Sequence, residues 1–440
     1  MPMNLTIHRG THEIGGTCVE VVHGSSRIIL DLGMPLINPG GGEGEEFNFR
    51  LHKDTAGVDL VAQGILPDVA GLYEWDTSAN RVDGVLISHA HLDHYGFTRF
   101  LHPEVACYLG EATKKLIDLT CLFTPAEVSI SRPVYIASGT QFSCGEFSVT
   151  PYLMDHAGFD AYAFMIEAGG KRLLYSGDFR EHGRKRKAFE YFLRAAPRPV
   201  DALLLEGTMM GRKAEEVPTE EDIEESMVET LRETDGPVLL FASSQNIDRM
   251  VSAFRAARRS RRMMVIDLYT AHVLKSIGEY ARIPQPGPDF SEIRVFYPYR
   301  LCRMLDYTDR KHLLYEFTKY KITKKEIGEL ADKALMLVRP SMLGDLERIS
   351  NLDRGALVYS MWNGYLKKAD VQRLVDFSRS RGMEFLTLHT SGHATVETLQ
   401  RVVDTFKPTK LVPIHTFHPH RYHQFGAPVV EVEDGQSFSV

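Results

Sequence analysis

Gly84-Val-Leu-Ile-Ser-His-Ala-His-Leu-Asp-His94 carries an apolar run, Val85 to Ile87, that breaks directly into His89, His91, Asp93 and His94. The run reads as a short buried strand. Neutral imidazoles and carboxylates are the donors that a borderline cation such as Zn²⁺ takes. Four of them inside six residues, just past a strand end, predict a metal site rather than a solvated turn that happens to be rich in histidine. The remaining ligands must come from elsewhere in the chain.

The chain has 440 residues, of which 43% are hydrophobic and 25% charged, the balance of a globular protein of two or three domains. No apolar run reaches membrane-spanning length, and Met1 to Gly16 contains no apolar signal segment. Five cysteines are scattered without a C-x-x-C pair, which predicts reduced thiols in the cytoplasm. The net charge of −7 gives no overall attraction to nucleic acid, so any such site must be a local basic surface.

Outward from the histidine cluster, Leu5 to His8, Cys18 to Val22 and Arg27 to Leu32 read as strands, the last ending in Asp31-Leu-Gly33. Pro35 to Glu46 reads as a loop, and Tyr95 onward is expected to open a helix. Phe147 to Tyr152 precedes Asp155-His156. A hairpin across Gly169-Gly170 runs into Ser176-Gly-Asp178, and a strand from Ala202 ends at Glu206. At Met209 the texture changes. Thr219 to Glu233 is an acidic helix with Thr219 as a simple N-cap, because a capping box would prefer Glu or Gln where Asp222 stands. Strands at 238–242 and 264–268 alternate with helices at 246–257 and 271–281, the pattern of a parallel sheet. Further strands at 334–338 and 356–360 are followed by a helix at 368–381. Then Phe385 to Leu388 leads into His389-Thr-Ser-Gly-His393, and Lys410 to Ile414 leads into His415. Val429 to Val432 and Ser437 to Val440 are expected to close a terminal hairpin.

The order of these groups is informative. Asp31, the His89 cluster, His156, Asp178 and Glu206 come first, a long α/β stretch intervenes, and only then come His393 and His415. This order resembles the β-CASP branch of the metallo-β-lactamase superfamily, and within it the ribonuclease J family. Glu13-Ile-Gly15, Phe241-Ala-Ser243, Asn246-Ile-Asp-Arg249 and Ser391-Gly-His-Ala394 carry that likeness. The resemblance implies an αββα sandwich over 1–208 and 384–440, with an inserted β-CASP α/β domain over 209–383. It implies two Zn²⁺ ions, with Mn²⁺ as the alternative. His89, His91 and His156 would hold one, and Asp93, His94 and His415 the other. Asp178 would bridge them, and Asp31 would orient ligands from behind. His393, assisted by Glu206, would supply a proton. His389, Ser391, Gly392, His393 and Arg249 would contact substrate phosphate. The implied substrate is RNA, cut as a 5′-to-3′ exonuclease with endonucleolytic cutting left open, and the implied assembly includes a homodimer. Glu206 departs from the Asp that the family generally carries at that position.

Arg184-Lys-Arg-Lys187, Arg255 and the Arg258 to Arg262 run are further candidate phosphate contacts, with a solvated face as the plain alternative for each. Three other readings compete with this one. A small-molecule hydrolase of the lactonase or glyoxalase II kind lacks the inserted domain and Ser391-Gly-His393. A binding protein with a dead metal site should have lost ligands, and none is missing here. A DNA nuclease of the same branch is disfavoured by His415, where DNA-directed eukaryotic members tend to carry Val.

Overall fold

The computed structural model describes residues 1–38, 46–78, 80–124, 128, 130–212 and 217–440. The loop expected at 35–46 therefore falls largely outside the described residues. The chain divides into two units. One comprises Met1–Glu181, Lys185–Glu215 and Gly392–Val440, and the other His182–Arg184 and Glu216–Ser391.

The first unit is built on two sheets. One runs in the order Ser437–Ser439, Met3–Arg9, Cys18–His23, Ser26–Leu30, Gly84–Leu86, Ala106–Gly110, Pro133–Ile136. The other runs Lys410–Ile414, Ala202–Glu206, Lys171–Tyr175, Ala161–Ala168, Phe147–Met154, Phe142–Cys144. Strand residues alternate between faces, so each sheet turns one apolar face to the other. Leu5, Ile7, Val21, Ile28 and Leu30 of the first meet Phe147, Val149, Phe164, Ile166 and Leu204 of the second. The outer face of the second sheet, through Met154, Met165 and Leu205, packs on two helices. Arg186–Ala195 contributes Phe189 and Phe192, and Val396–Phe406 contributes Leu399 and Phe406. Helix Glu111–Phe123 packs against strands Ala106–Gly110 and Pro133–Ile136 of the first sheet. The layers are thus helix, sheet, sheet, helix. The hairpin expected across Gly169-Gly170 is present, with Leu173 opposite Ile166.

The second unit holds one seven-stranded sheet, ordered Lys321–Ile322, Ile293–Phe296, Met263–Asp267, Ala334–Leu337, Val238–Phe241, Ala356–Tyr359, Glu384–Thr387. Every pairing in it is parallel, as the alternation of strands and helices predicted. Its strands are apolar throughout where buried on both faces, as in Val238 to Phe241. No helix among the described residues is long and apolar enough to cross a membrane.

Several local expectations are corrected. Strand Glu384–Thr387 pairs with Ala356–Tyr359, so it is the edge of the second unit's sheet and the return to the first unit begins later, at Gly392. The terminal hairpin does not form. Ser437–Ser439 instead pairs with the first strand, and Val429 bridges to Leu411. Asp222 does complete a capping box with Thr219, its shorter arm reaching the Thr219 N–H at 2.8 Å. Tyr95 ends the short helix Leu92–Tyr95 instead of opening one, with a single tight turn after it at Thr98–Phe100, and the helix expected at 271–281 is Leu268–Ile277, because Asp267 accepts the Thr270 N–H and starts it early.

Arg249 is also placed differently from the expectation that it contacts phosphate. Its side chain and that of Glu220 are both fully buried, with Nη2 donating to Oε1 at 3.0 Å and Nε to Oε2 at 3.3 Å. The second terminal nitrogen donates to Ser360 and to the Leu388 carbonyl. A guanidinium so engaged ties the first helix of the unit to the ends of two of its strands. Removing one partner of a buried pair strands the other charge. Arg249→Ala is therefore expected to destabilise the second unit by about 3–5 kcal/mol while leaving bound metal per chain unchanged. Urea unfolding followed alongside metal analysis checks both halves.

Candidate metal centre

Strand ends deliver the candidate ligands. Gly84–Leu86 runs into Ser88 and His89, and Phe147–Met154 into Asp155 and His156. Lys171–Tyr175 runs into Asp178, and Lys410–Ile414 into His415. Three nitrogens then form a tight triangle, with His91 Nδ1 lying 3.0 Å from His89 Nε2 and 3.1 Å from His156 Nε2. A second group gathers Asp93, His94, Asp178 and His415, and a third Asp178, Glu206 and His393. Within each group the donor atoms lie within 4.8 Å of one another. Asp178 Oδ2 connects them. It stands 3.2 Å from His94 Nε2 and 3.7 Å from each of His89 Nε2, His415 Nε2 and His393 Nδ1. Every ligand expected from the sequence is thus brought into one cluster.

The donors fit a pair of divalent cations. Two imidazole nitrogens bound tetrahedrally at about 2.0–2.1 Å sit roughly 3.3 Å apart, close to the spacing in the His89, His91, His156 triangle. One proton cannot satisfy three such nitrogens, whereas one cation can. His94 Nε2 and His415 Nε2 are buried without a hydrogen-bond partner, which an ion at the second group would supply. Burial holds the imidazoles of His89 and His156 well below their ordinary pKa, and lowers those of His91 and His415, so all four are neutral donors. For His94 burial acts the same way, but Asp178, Asp31 and Asp93 outweigh it and raise the ring well above the ordinary range. Burial alone would raise Asp178, yet the surrounding His415, His94 and His393 hold it well below the usual carboxylate range.

A set of residues behind the ligands fixes which nitrogen faces the centre. Asp31, buried and with φ of 57°, accepts four hydrogen bonds. They come from the Ser88 N–H at 2.7 Å, Ser88 Oγ at 2.7 Å, Tyr175 Oη at 2.6 Å and His94 Nδ1 at 2.8 Å. Ser88 Oγ in turn lies 3.0 Å from His89 Nδ1. His156 Nδ1 donates to the Gly392 carbonyl at 2.7 Å, and Thr17 Oγ1 lies 3.0 Å from His415 Nδ1. With Nδ1 engaged in each, Nε2 is left for a cation. Ser88, Tyr175 and Thr17 were not anticipated from the sequence. A hydroxyl inside a strand or at its end has no spacing signal of its own.

Glu206 holds the turn that carries His393. Its Oε1 accepts the Ala394 N–H at 3.0 Å and its Oε2 the Thr208 N–H at 2.9 Å, and Oε2 lies 3.5 Å from His393 Nδ1. Burial would lower the His393 ring, but Glu206 and Asp178 raise it above the ordinary range. The cluster opens to solvent on one side, where the His393 side chain is 22% exposed and Asp93 13%, against 3% or less for His89, His94, Asp178 and His415.

The remaining candidates separate. The carbonyls of Ser391 and Gly392 accept from His182 Nε2 and His156 Nδ1, and His389 follows the edge strand of the second unit. The basic run at 258–262 is mostly engaged in structure. Arg262 is buried, donating to the carbonyls of Leu231 at 3.0 Å, Gly236 at 2.8 Å and Thr234. Arg259 grips Glu225 at 2.6 and 2.7 Å, Arg258 lies 3.5 Å from Glu292, and Arg261 is exposed. Of these, Arg262 closes the end of helix Glu220–Glu233 and its loop, where a cation complements the helix dipole. Arg184 likewise pairs with Glu224, and Lys185 donates to the His156 carbonyl at 2.9 Å, whereas Arg186 and Lys187 are exposed.

Asp31→Asn is expected to weaken metal affinity about 10–100-fold without unfolding the chain, because His94 loses the acceptor that orients it. Affinity in the parent protein should also rise with pH, since the carboxylates keep on His94 a proton that a cation must displace. Competition with a chelator across a pH series measures both effects.

Comparison with known proteins gives a consistent result. The family described as the β-lactamase superfamily domain matches residues 56–266. Ribonuclease J of Helicobacter pylori is 23% identical over 93% of this chain and 55% of its own length. Ribonuclease J of Sinorhizobium meliloti is 24% identical over 86% of this chain and 65% of its own, and ribonuclease J 2 of Streptococcus pyogenes 23% over 92% and 68%. The chain thus spans about half the length of the Helicobacter relatives it matches. A crystal structure of a protein of unknown function from Enterococcus faecalis V583 superposes with a TM-score of 0.80 at 22% identity, over 100% of both chains. With the layered fold, the converging donors and these relatives together, the chain carries a β-lactamase superfamily domain and is ribonuclease J-like along most of its length.

Proposed function

We propose that this protein is a two-metal ribonuclease whose inserted unit is of the β-CASP type. One observation carries the reading: a single carboxylate oxygen, Asp178 Oδ2, lies within 3.7 Å of nitrogens from both ligand groups and of His393. That is the placement a bridging ligand requires, with a proton donor beside it. The relatives named ribonuclease J supply the substrate class.

In this reading His89, His91 and His156 would hold one cation and Asp93, His94 and His415 the second, and Asp178 would be shared by both. The imidazole-rich set suits Zn²⁺, and the two carboxylates admit Mn²⁺. When bound, the pair lowers the pKa of water and neutralises charge gathering on the phosphoryl oxygens. The chain's own groups do the rest. Asp31 and Ser88 keep His94 and His89 aimed. His393 presents Nδ1 to Glu206 and Asp178, so its other nitrogen is the one that can protonate the departing ribose oxygen as the P–O bond breaks. Glu206 fixes that ring through the Ala394 N–H. Water adds to phosphorus, and the products are a 3′-hydroxyl and a 5′-phosphate.

Ser391 and Gly392 immediately precede His393, and with His389 they supply hydroxyl, N–H and imidazole donors for a phosphate. A 5′-terminal phosphate bound there would set the first linkage near His393, which turns end recognition into rate. The activity is accordingly a 5′-to-3′ exonuclease that favours a 5′-monophosphate.

Asp178→Ala should lose metal and hydrolysis together, whereas His393→Ala should keep both metals and lose roughly 10²–10⁴-fold in turnover. Metal content measured beside RNA hydrolysis separates the two. A His393→Ala protein stripped of metal would make that residue a ligand instead. One RNA with 5′-monophosphate, triphosphate or hydroxyl ends should release mononucleotides fastest from the monophosphate, and Ser391→Ala should shrink that preference. Efficient cutting of circular RNA would mark an endonuclease.

A further inference from the structure

Between Tyr297 and Lys321 stand five of the chain's 18 tyrosines, and six lysines and arginines face three carboxylates, in a chain whose net charge is −7. The segment starts where strand Ile293–Phe296 ends and forms the eight-residue helix Tyr299–Asp306, which packs on the turn Lys311–Leu314. Leu305 anchors the helix in the core, and Asp345 accepts the Tyr299 N–H at 3.0 Å. The outward side is a ladder. Arg303 lies between two rings, 5.7 Å from the centroid of Tyr299 and 5.1 Å from that of Tyr307, and donates to both hydroxyls. Those rings are 54% and 75% exposed, and Tyr315 beyond the turn is 60% exposed.

Tyr–Arg pairs at four-residue spacing stabilise a short helix, and that role alone would account for the ladder. It does not account for three large rings left in water in one positively charged segment. An apolar protein partner or a lipid surface would be met by exposed Phe, Leu or Trp. Here Phe317 is buried and Leu301, Leu313 and Leu314 are half-buried, so only tyrosines are fully presented. Flat rings interleaved with guanidinium and ammonium groups fit unpaired bases strung on a phosphate backbone.

We infer that the Tyr299, Arg303, Tyr307 ladder is a second binding surface for single-stranded RNA, on which bases stack. The inference rests on the ribonuclease reading and adds to it a dependence on RNA length. In the parallel sheet the strand that ends at the ladder is five places from Glu384–Thr387, the strand that leads to His389. At about 4.8 Å per strand that is roughly 24 Å, or about seven nucleotides at a stacked spacing of ~3.4 Å. Short RNAs cannot use both places, and long ones can.

The test uses metal-loaded protein and 2′-O-methyl oligoadenylates of about six and 20 nucleotides, with binding read by fluorescence anisotropy; ordinary RNAs of the same lengths report cleavage. Tyr299→Ala/Tyr307→Ala should weaken binding of the longer oligomer about tenfold or more, the effect of losing stacked bases. It should leave binding and cleavage of the shorter one unchanged, and Tyr299→Phe/Tyr307→Phe should bind both as the parent does. Equal affinity of parent and alanine variant for the longer oligomer, with cleavage intact, overturns the ladder while leaving the ribonuclease reading standing. Parent protein that neither binds nor cuts either RNA overturns both. A phenylalanine variant as weak as the alanine one rules out stacking. Loss of phosphatidylserine-vesicle binding in the alanine variant, with RNA affinity unchanged, assigns the surface to lipid instead.

Discussion

A single buried carboxylate holds the strand ends of two sheets in register around the metal centre. Asp31 leaves the first sheet, Ser88 follows a neighbouring strand of that sheet, and Tyr175 ends a strand of the other. A carboxylate has about four lone-pair positions, and the Ser88 N–H, Ser88 Oγ, Tyr175 and His94 occupy them. In a buried setting each of these bonds is hard to replace with water. The same contacts that close the sandwich at this end therefore also aim the imidazoles, so stability and ligand geometry are one problem here. This is why the centre can be assembled from segments separated by more than three hundred residues of chain.

The second unit shows the opposite use of charge. Arg249 and Arg262 are buried and fully engaged, one across strand ends and the other at a helix terminus. Both would look like substrate contacts to any reading that counts basic residues. Their carboxylate and carbonyl partners lie far away in sequence or are main-chain atoms, which a linear pattern does not reveal. An arginine deep in a fold, bonded through its whole fork, organises neighbouring elements rather than meeting a polyanion.

The clustering of the candidate ligands was legible because a metal centre needs specific donor types at strand ends, and those appear as a polar group after an apolar run: His89, His156, Asp178 and His415 all do. The parallel sheet of the second unit was legible from alternation. Boundaries were less so. Asp222 forms a capping box that its shorter arm seemed to disfavour, and Glu384–Thr387 joins the second unit's sheet although it precedes His393 closely in sequence. Both outcomes depend on which neighbour a strand or side chain meets in three dimensions. Ser88, Tyr175 and Thr17 were invisible for the same reason, being common residues given their role only by position.

Backbone conformation adds a condition on what can occupy two of the positions. Asp31 and His415 both sit in the left-handed region, with φ of 57° and 56°. Outside glycine, Asn, Asp and His are the residues that enter that region most readily, and β-branched residues the least. The side chains demanded by the chemistry are thus the ones the main chain accepts. A valine at 415 would do more than delete a ligand: it would force the turn after Lys410–Ile414 into another shape and shift the segment that follows. Diversification of this centre is consequently channelled, since loss or exchange of the ligand at either position must be accompanied by a rebuilt loop.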